Sequence, residues 1–110
     1  CIFIANGWIE WLRSENEKKP FFHYIDSKLI YFAGIYNLTS GCAVVTCQSA
    51  EHIAQVHHRQ PLLLEEQQID EWISGKHQID RKIDDHVEFH EISKEVNSPK
   101  NNNSQLLLKI

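Results

Sequence analysis

Long apolar runs are missing from this chain of 110 residues. No stretch approaches membrane-spanning length, and no charged-then-apolar leader with a cleavage site is present. The expectation is a soluble, cytoplasmic protein without membrane contact. An excess of positive charge is missing too. Eleven Lys+Arg stand against fifteen Asp+Glu, a net charge of −4 with the seven histidines neutral. A protein that holds nucleic acid by diffuse phosphate attraction is basic, so any such contact here has to be a local patch. Cysteine is scarce and odd in number. Cys1, Cys42 and Cys47 show no Cys-x-x-Cys spacing, which argues against a disulfide framework. Cys42 and Cys47 flank an apolar stretch and are read as small hydrophobes of a reducing compartment, on opposite strand faces. Internal repeats, linkers and composition shifts are also lacking, so residues 1–110 are expected to form one domain and a monomer.

What is present is an ordinary globular composition, 42% hydrophobic. Strand signals dominate the first half. Cys1 to Ile4 and Trp8 to Leu12 are β-prone and are separated by the turn signal Asn6-Gly7. Phe21 to Ile25 and Leu29 to Tyr36 read as strands joined through Asp26-Ser27-Lys28, which predicts a hairpin. Ala33-Gly34 marks a bulge or a close backbone approach. Ala43 to Thr46 reads as a short buried strand. Ser49 is the expected N-cap of a short helix carrying Ile53 and Val56. After a brief strand at Leu62 to Leu64, Glu65 to Ser74 reads as a helix with Ile69, Trp72 and Ile73 on its core face and Gly75 at its stop. Ile79 and Ile83 fit a further short helix, and Val87, Phe89 and Ile92 a strand. Leu106 to Ile110 is expected to close the sheet. Early strands followed by interleaved helices and strands predict an α+β fold, with a mixed or antiparallel barrel-like sheet flanked by short helices.

Two short stretches carry the chemistry. Gly7-Trp8-Ile9-Glu10-Trp11 sets a carboxylate among aromatic rings, where Trp8 and Trp11 are expected to desolvate Glu10 and favour its protonated form. Val56-His57-His58-Arg59-Gln60-Pro61 sets a histidine, the side chain suited to proton transfer near neutral pH, beside an arginine able to grip a phosphate in bidentate fashion. Plainer roles compete with these. Glu10 also suits a solvated strand end, His57 and His58 a helix C-terminus, and Arg59 a helix cap. Trp8, Trp11 and Trp72 suit a core as well as a base-stacking platform. His86 and His90, four apart, are expected to point outward from one strand face. No Cys, Asp or Glu set completes a tetrahedral site with them, so neither metal nor cofactor is expected.

Several segments in order resemble the SRAP family, the SOS-response-associated peptidases. Cys1 through Trp11 is similar to its Cys-apolar-apolar-Pro-x-x-Gly-aromatic-x-Glu-Trp strand, with Ala5 where Pro is frequent. Pro20-Phe21-Phe22 and Phe32-Ala33-Gly34-Ile35-Tyr36 resemble its next two strands. Val44 to Ala50 with Ile53 to Leu64 resembles its Thr-x-x-Ala/Asn and His-x-Arg-Met-Pro segments, with Gln60 in place of Met. Val96-Asn97-Ser98-Pro99-Lys100-Asn101 resembles its Val-Asn-x-Pro-Arg-Asn loop. The resemblance implies a protein that binds single-stranded DNA at abasic sites, traps them as a covalent thiazolidine, and carries out a peptidase-like self-processing step. It implies catalytic roles for Glu10 and His57 and a DNA contact for Arg59. The family's reactive cysteine and an Asn-x-Arg stretch lie in an amino-terminal segment without counterpart here. Cys1 matches an interior strand cysteine, though a terminal cysteine unites the amine and thiol that a thiazolidine requires, which leaves it a candidate nucleophile. Two other functions stay open: a truncated, inactive domain of the same fold, and an acidic protein-interaction module.

Overall fold

A computed structural model describes residues 1–110. Nine strands form three sheets. The first sheet contains β1 (Ile2–Ala5), β4 (Ile30–Asn37) and β5 (Gly41–Val44) in the order β1-β4-β5, with β8 (Leu63–Leu64) also paired to β4. The second contains β2 (Trp8–Arg13), β3 (Lys18–Tyr24) and β9 (Glu88–Glu91) in the order β2-β3-β9. The third joins β6 (Thr46–Gln48) to β7 (Arg59–Pro61). Every ladder is antiparallel. The single α-helix, α1 (Ile69–Ile73), is one turn and a half, and the other helical segments are 3₁₀ turns. The α+β class holds, but the strands divide into separate open sheets and do not close into a barrel.

The expected hairpin between the third and fourth strands is absent. Ser27 adopts a left-handed conformation (φ 57°), and Lys28 N–H donates to the Ile25 carbonyl over 3.1 Å. This turn carries the chain out of the second sheet into the first. β3 then pairs with β2 and β9, while β4 pairs with β1, β5 and β8. A strand's alternation specifies which face it buries and leaves its partner open, which is why adjacency in sequence misled here.

The crossing between sheets creates the core. Ile25, Ile30, Phe32, Ile53, Leu63 and Val87 are buried together, and Trp8 and Phe89 of the second sheet pack against them. Each such side chain contributes about 1.5–3 kcal/mol by leaving water. Leu64 and Ala33 turn to the opposite face of the first sheet and form a smaller cluster with Leu62, against which Trp72 and Ile79 pack. Gly34 lies in β4 where backbone and rings converge: an added Cβ would stand 2.6 Å from the Phe3 ring and 2.9 Å from Cys1 Sγ. The close approach expected at Ala33-Gly34 is therefore observed.

Several local expectations change in the folded chain. Residues 51–53 make only a 3₁₀ turn, capped at Ala50 without a side-chain hydrogen bond; Ser49 is buried and its N–H donates to the His58 carbonyl. Gly41–Val44 and Thr46–Gln48 are two short strands, with Ala43 exposed where a buried strand was expected. Glu65 and Gln68 close a reciprocal capping box ahead of α1. Trp72 packs inward, whereas Ile73 is 63% exposed, so Ile73 is no part of the core. A helix of five residues is too short to carry a full apolar stripe. Lys82–His86 is a 3₁₀ turn, which ends the idea of His86 and His90 on one strand; His90 Nε2 instead lies 2.8 Å from the Leu107 carbonyl. The C-terminus adds a single bridge, Ile92 to Lys109, after a 3₁₀ turn over Ser104–Leu107. No helix is long and apolar enough to cross a membrane.

Candidate functional site

The site begins on β2. Strand alternation turns Trp8 and Glu10 to one face and Trp11 to the other. Glu10 is therefore not walled in by both tryptophans, contrary to the expectation from sequence. Trp8 continues inward and stacks on His23, with ring centroids 4.9 Å apart. Glu10 stops at the rim with its side chain 27% exposed. On the opposite face, the Trp11 indole N–H donates to Asn97 Oδ1 over 2.6 Å, and Lys18 Nζ lies 4.7 Å above the ring.

The second half of the site comes from the segment before β7. The 3₁₀ turn at Glu51–Ile53 and the burial of Ile53 and Val56 anchor that segment on the core. A bend at His58 then redirects the chain into β7. This brings His57 Nε2 to 4.0 Å from Glu10 Oε1, with the histidine side chain 33% exposed. The separation exceeds a direct hydrogen bond, and unliganded catalytic contacts are often long in this way. Glu10 and His57, distant in sequence, share one face of the molecule.

The other edge of the His57 ring is held by Arg59. His57 Nδ1 lies 3.1 Å from both the backbone N and the backbone O of Arg59. In the tautomer with its proton on Nε2, facing Glu10, the Nδ1 lone pair accepts the Arg59 N–H. In the imidazolium, Nδ1–H donates to the Arg59 carbonyl instead. An imidazolium that gives up its Nε2 proton keeps Nδ1–H on the Arg59 carbonyl, so Nε2 can take a proton back with little movement.

Arg59 itself is exposed. Its Nη2 donates to the Thr46 carbonyl over 2.9 Å and to Thr46 Oγ1 over 3.3 Å. No carboxylate neutralises it, and Nη1 and Nε stay available to an anion. Thr46 had no signal in the sequence as a site residue; its role comes from the β6–β7 pairing, in which it opposes Pro61. Gln60, at the position of the family's usual Met, is buried, and its Oε1 accepts the Ala50 N–H over 2.9 Å. Arg81 lies behind this strand pair, with Nη2 donating 2.7 Å to the Gln48 carbonyl and 2.6 Å from Asp84 Oδ2. Burial raises the Asp84 carboxyl, against the opposing pull of Arg81. Burial likewise pushes the Cys47 thiol up, which keeps it protonated and poorly nucleophilic.

His23 was not singled out by the sequence. It is 2% exposed and sandwiched between Trp8 and Phe89, whose centroids lie 4.9 and 5.4 Å away. Burial lowers its pKa to about 4, so the ring beneath the site is neutral at ordinary pH. Cys1 belongs to the first sheet, where its nitrogen donates to the Gly34 carbonyl over 2.9 Å. A cavity of about 520 Å³, lined by Ile25, Leu29, Tyr31 and Leu64 among others, contains none of Glu10, His57 or Arg59. The candidate site lies at the surface, with Glu10 and His57 half-buried and Arg59 exposed.

Comparison with known proteins identifies the family. The pattern of the SOS response associated peptidase (SRAP) family matches residues 1–99, and the chain belongs to that family. It is 29% identical over 125 residues to the abasic site processing protein YoaM of Bacillus subtilis, covering 97% of this chain and 55% of that relative. It is also 29% identical to the abasic site processing protein YedK of Escherichia coli, covering 97% of this chain and 56% of that protein. The orangutan (Pongo abelii) abasic site processing protein HMCES is 23% identical, with 97% and 42% covered. A solved structure of a Bacteroides thetaiotaomicron protein superposes with a TM-score of 0.75 at 16% identity, over 100% of this chain and 56% of that one, and so shares its fold. The chain spans about half the length of the curated relatives it matches.

Proposed function

We propose that this chain carries the acid–base half of abasic-site processing in single-stranded DNA. The observation that carries the reading is the Glu10–His57 pair at 4.0 Å, beside an unneutralised Arg59. The names of the relatives support the same substrate. The ring-opened abasic sugar presents an aldehyde. An amine adds to its carbon to give a carbinolamine; loss of water gives an imine; a neighbouring thiol then adds across the imine carbon and closes a thiazolidine. One water is released overall. Dehydration needs a proton delivered to the leaving hydroxyl, and ring closure needs one taken from the thiol and one delivered to the imine nitrogen. The His57 imidazolium supplies the acid from Nε2–H and is left with Nδ1–H on the Arg59 carbonyl, while the Glu10 carboxylate supplies the base; the proton Glu10 has taken then returns to His57 Nε2. Arg59 holds a flanking phosphate through the donors that Thr46 leaves free. The peptidase-like self-processing step of the family would draw on the same pair. In the whole protein the outcome is a covalent protein–DNA link.

The test supplies the amine and thiol separately. Free cysteine is incubated with an abasic oligonucleotide, with and without the 110-residue chain. The chain is expected to accelerate thiazolidine formation, and Glu10→Gln and His57→Gln each to remove on the order of 100-fold of that acceleration. An unchanged rate in both variants ends this reading. A second reading follows from Cys1, whose main chain pairs with Gly34 in the other sheet: the chain binds abasic DNA without bonding to it. The rate with free cysteine separates the two, because binding alone leaves it unchanged; a shifted band in a denaturing gel, lost in Cys1→Ala, would overturn both and make Cys1 the nucleophile.

A further inference from the structure

The rings of His57 and His58 stack, with centroids 4.7 Å apart and planes at 22°. Consecutive side chains of an extended strand point to opposite faces, so this contact exists only because the chain bends at His58. The bend is anchored. The His58 carbonyl accepts the N–H of buried Ser49 over 2.9 Å, and Arg59 immediately enters β7. The His58 ring itself is exposed, makes no hydrogen bond and stacks on His57.

We propose that His58 is a positioning residue that clamps the plane of the His57 ring. Two constraints are needed to aim an imidazole. The Arg59 backbone holds the Nδ1 edge at 3.1 Å, which still permits the ring to tilt about that edge. The stacked His58 ring removes the tilt, and Nε2 is left facing Glu10. The inference rests on the acid–base role proposed for His57, although its geometry is independent of any substrate. It assigns position 58 a task that any flat ring can perform and a small side chain cannot.

The experiment is nitrogen NMR of the histidine rings in the 110-residue chain at a pH where His57 is neutral, with the His57 signals assigned by their loss in His57→Gln. The wild type is expected to show one tautomer, Nε2 protonated and Nδ1 bare. His58→Ala is expected to lose this signature, giving the averaged shifts of mixed tautomers, while its melting curve stays that of the wild type. His58→Phe, which keeps a flat ring, is expected to restore the single tautomer. A His58→Ala spectrum equal to the wild type overturns the clamp, and so does a His58→Phe spectrum equal to that of His58→Ala. The readout involves no DNA. Loss of the tautomer in His58→Ala with rescue in His58→Phe upholds the clamp even where the chain fails to accelerate thiazolidine formation, a failure that would fall on the proposed function alone.

Discussion

Trp8 and His23 are opposite one another across the β2–β3 ladder, and their rings stack at 4.9 Å with planes 13° apart. The stack seals a neutral imidazole beneath the face that carries Glu10. It also makes the stability of the domain depend on pH. Burial lowers His23 to about 4 in the folded chain, against 6.5 for an exposed histidine. Between those values the unfolded chain binds a proton that the folded chain does not. Stability from this group is therefore complete above about pH 6.5 and declines as pH falls, by about 3 kcal/mol at pH 4. Urea midpoints at pH 7.5, 5.5 and 4 should fall in that order, and His23→Phe should flatten the trend. An equal decline in the variant would place the titrating group elsewhere.

Gly7 precedes the site strand because nothing larger fits. A Cβ there would overlap the His23 carbonyl and stand 2.6 Å from the Phe22 ring, both of β3. Gly7→Ala is expected to destabilise the domain by on the order of 3 kcal/mol, since the backbone must shift to admit it. Thermal melting should show the loss. A neutral Gly7→Ala would mean that β2 and β3 separate at this end without cost.

Trp72 and Ile73 offer a paired comparison on α1. Trp72 donates its indole N–H to the Gly34 carbonyl over 3.0 Å and packs on the Ala33–Leu62–Leu64 cluster. Trp72→Phe should cost about 1 kcal/mol for the hydrogen bond, and Trp72→Ala roughly 2–3 kcal/mol because the ring is only partly buried. Ile73→Ala should stay within about 0.5 kcal/mol. Denaturant titration of the three variants checks the order, and equal losses at positions 72 and 73 would contradict the exposure of Ile73.

Asp84 is buried with Oδ1 lacking a hydrogen-bond partner, and Arg81 is the cation that holds its other oxygen. Arg81→Leu should cost roughly 2–3 kcal/mol by stranding the carboxylate. Adding Asp84→Leu should recover much of the loss, because the stranded charge is then gone. A double variant no more stable than Arg81→Leu would assign the loss to packing of the arginine stem.

Arg59 is expected to act through its charge. Arg59→Ala should weaken binding of an abasic oligonucleotide and reduce the slope of log affinity against log salt by about 1, the signature of one lost phosphate contact. Fluorescence anisotropy across a salt series measures both. An unchanged slope would remove Arg59 from the phosphate contacts.

The sequence by itself determined the local pieces. The aromatic stretch around Glu10 is a strand, the α+β class follows from the order of elements, and His57 and Arg59 are neighbours because they are two residues apart. These properties depend on residues close in the chain, whose alternation and turn chemistry act locally. The tertiary structure decided the partners. β3 joined β2 and β9 and not β4, because alternation specifies a face and is silent on which edge meets which. That pairing buried His23, the packing of the Val96-Asn97 turn set Asn97 against the Trp11 indole, and the shortness of α1 left Ile73 in water. The packing of the segment before β7 onto the core brought His57 to Glu10. Such contacts cost chain entropy to close and are repaid only when the shared core of the two sheets forms, so no stretch of sequence contains them alone.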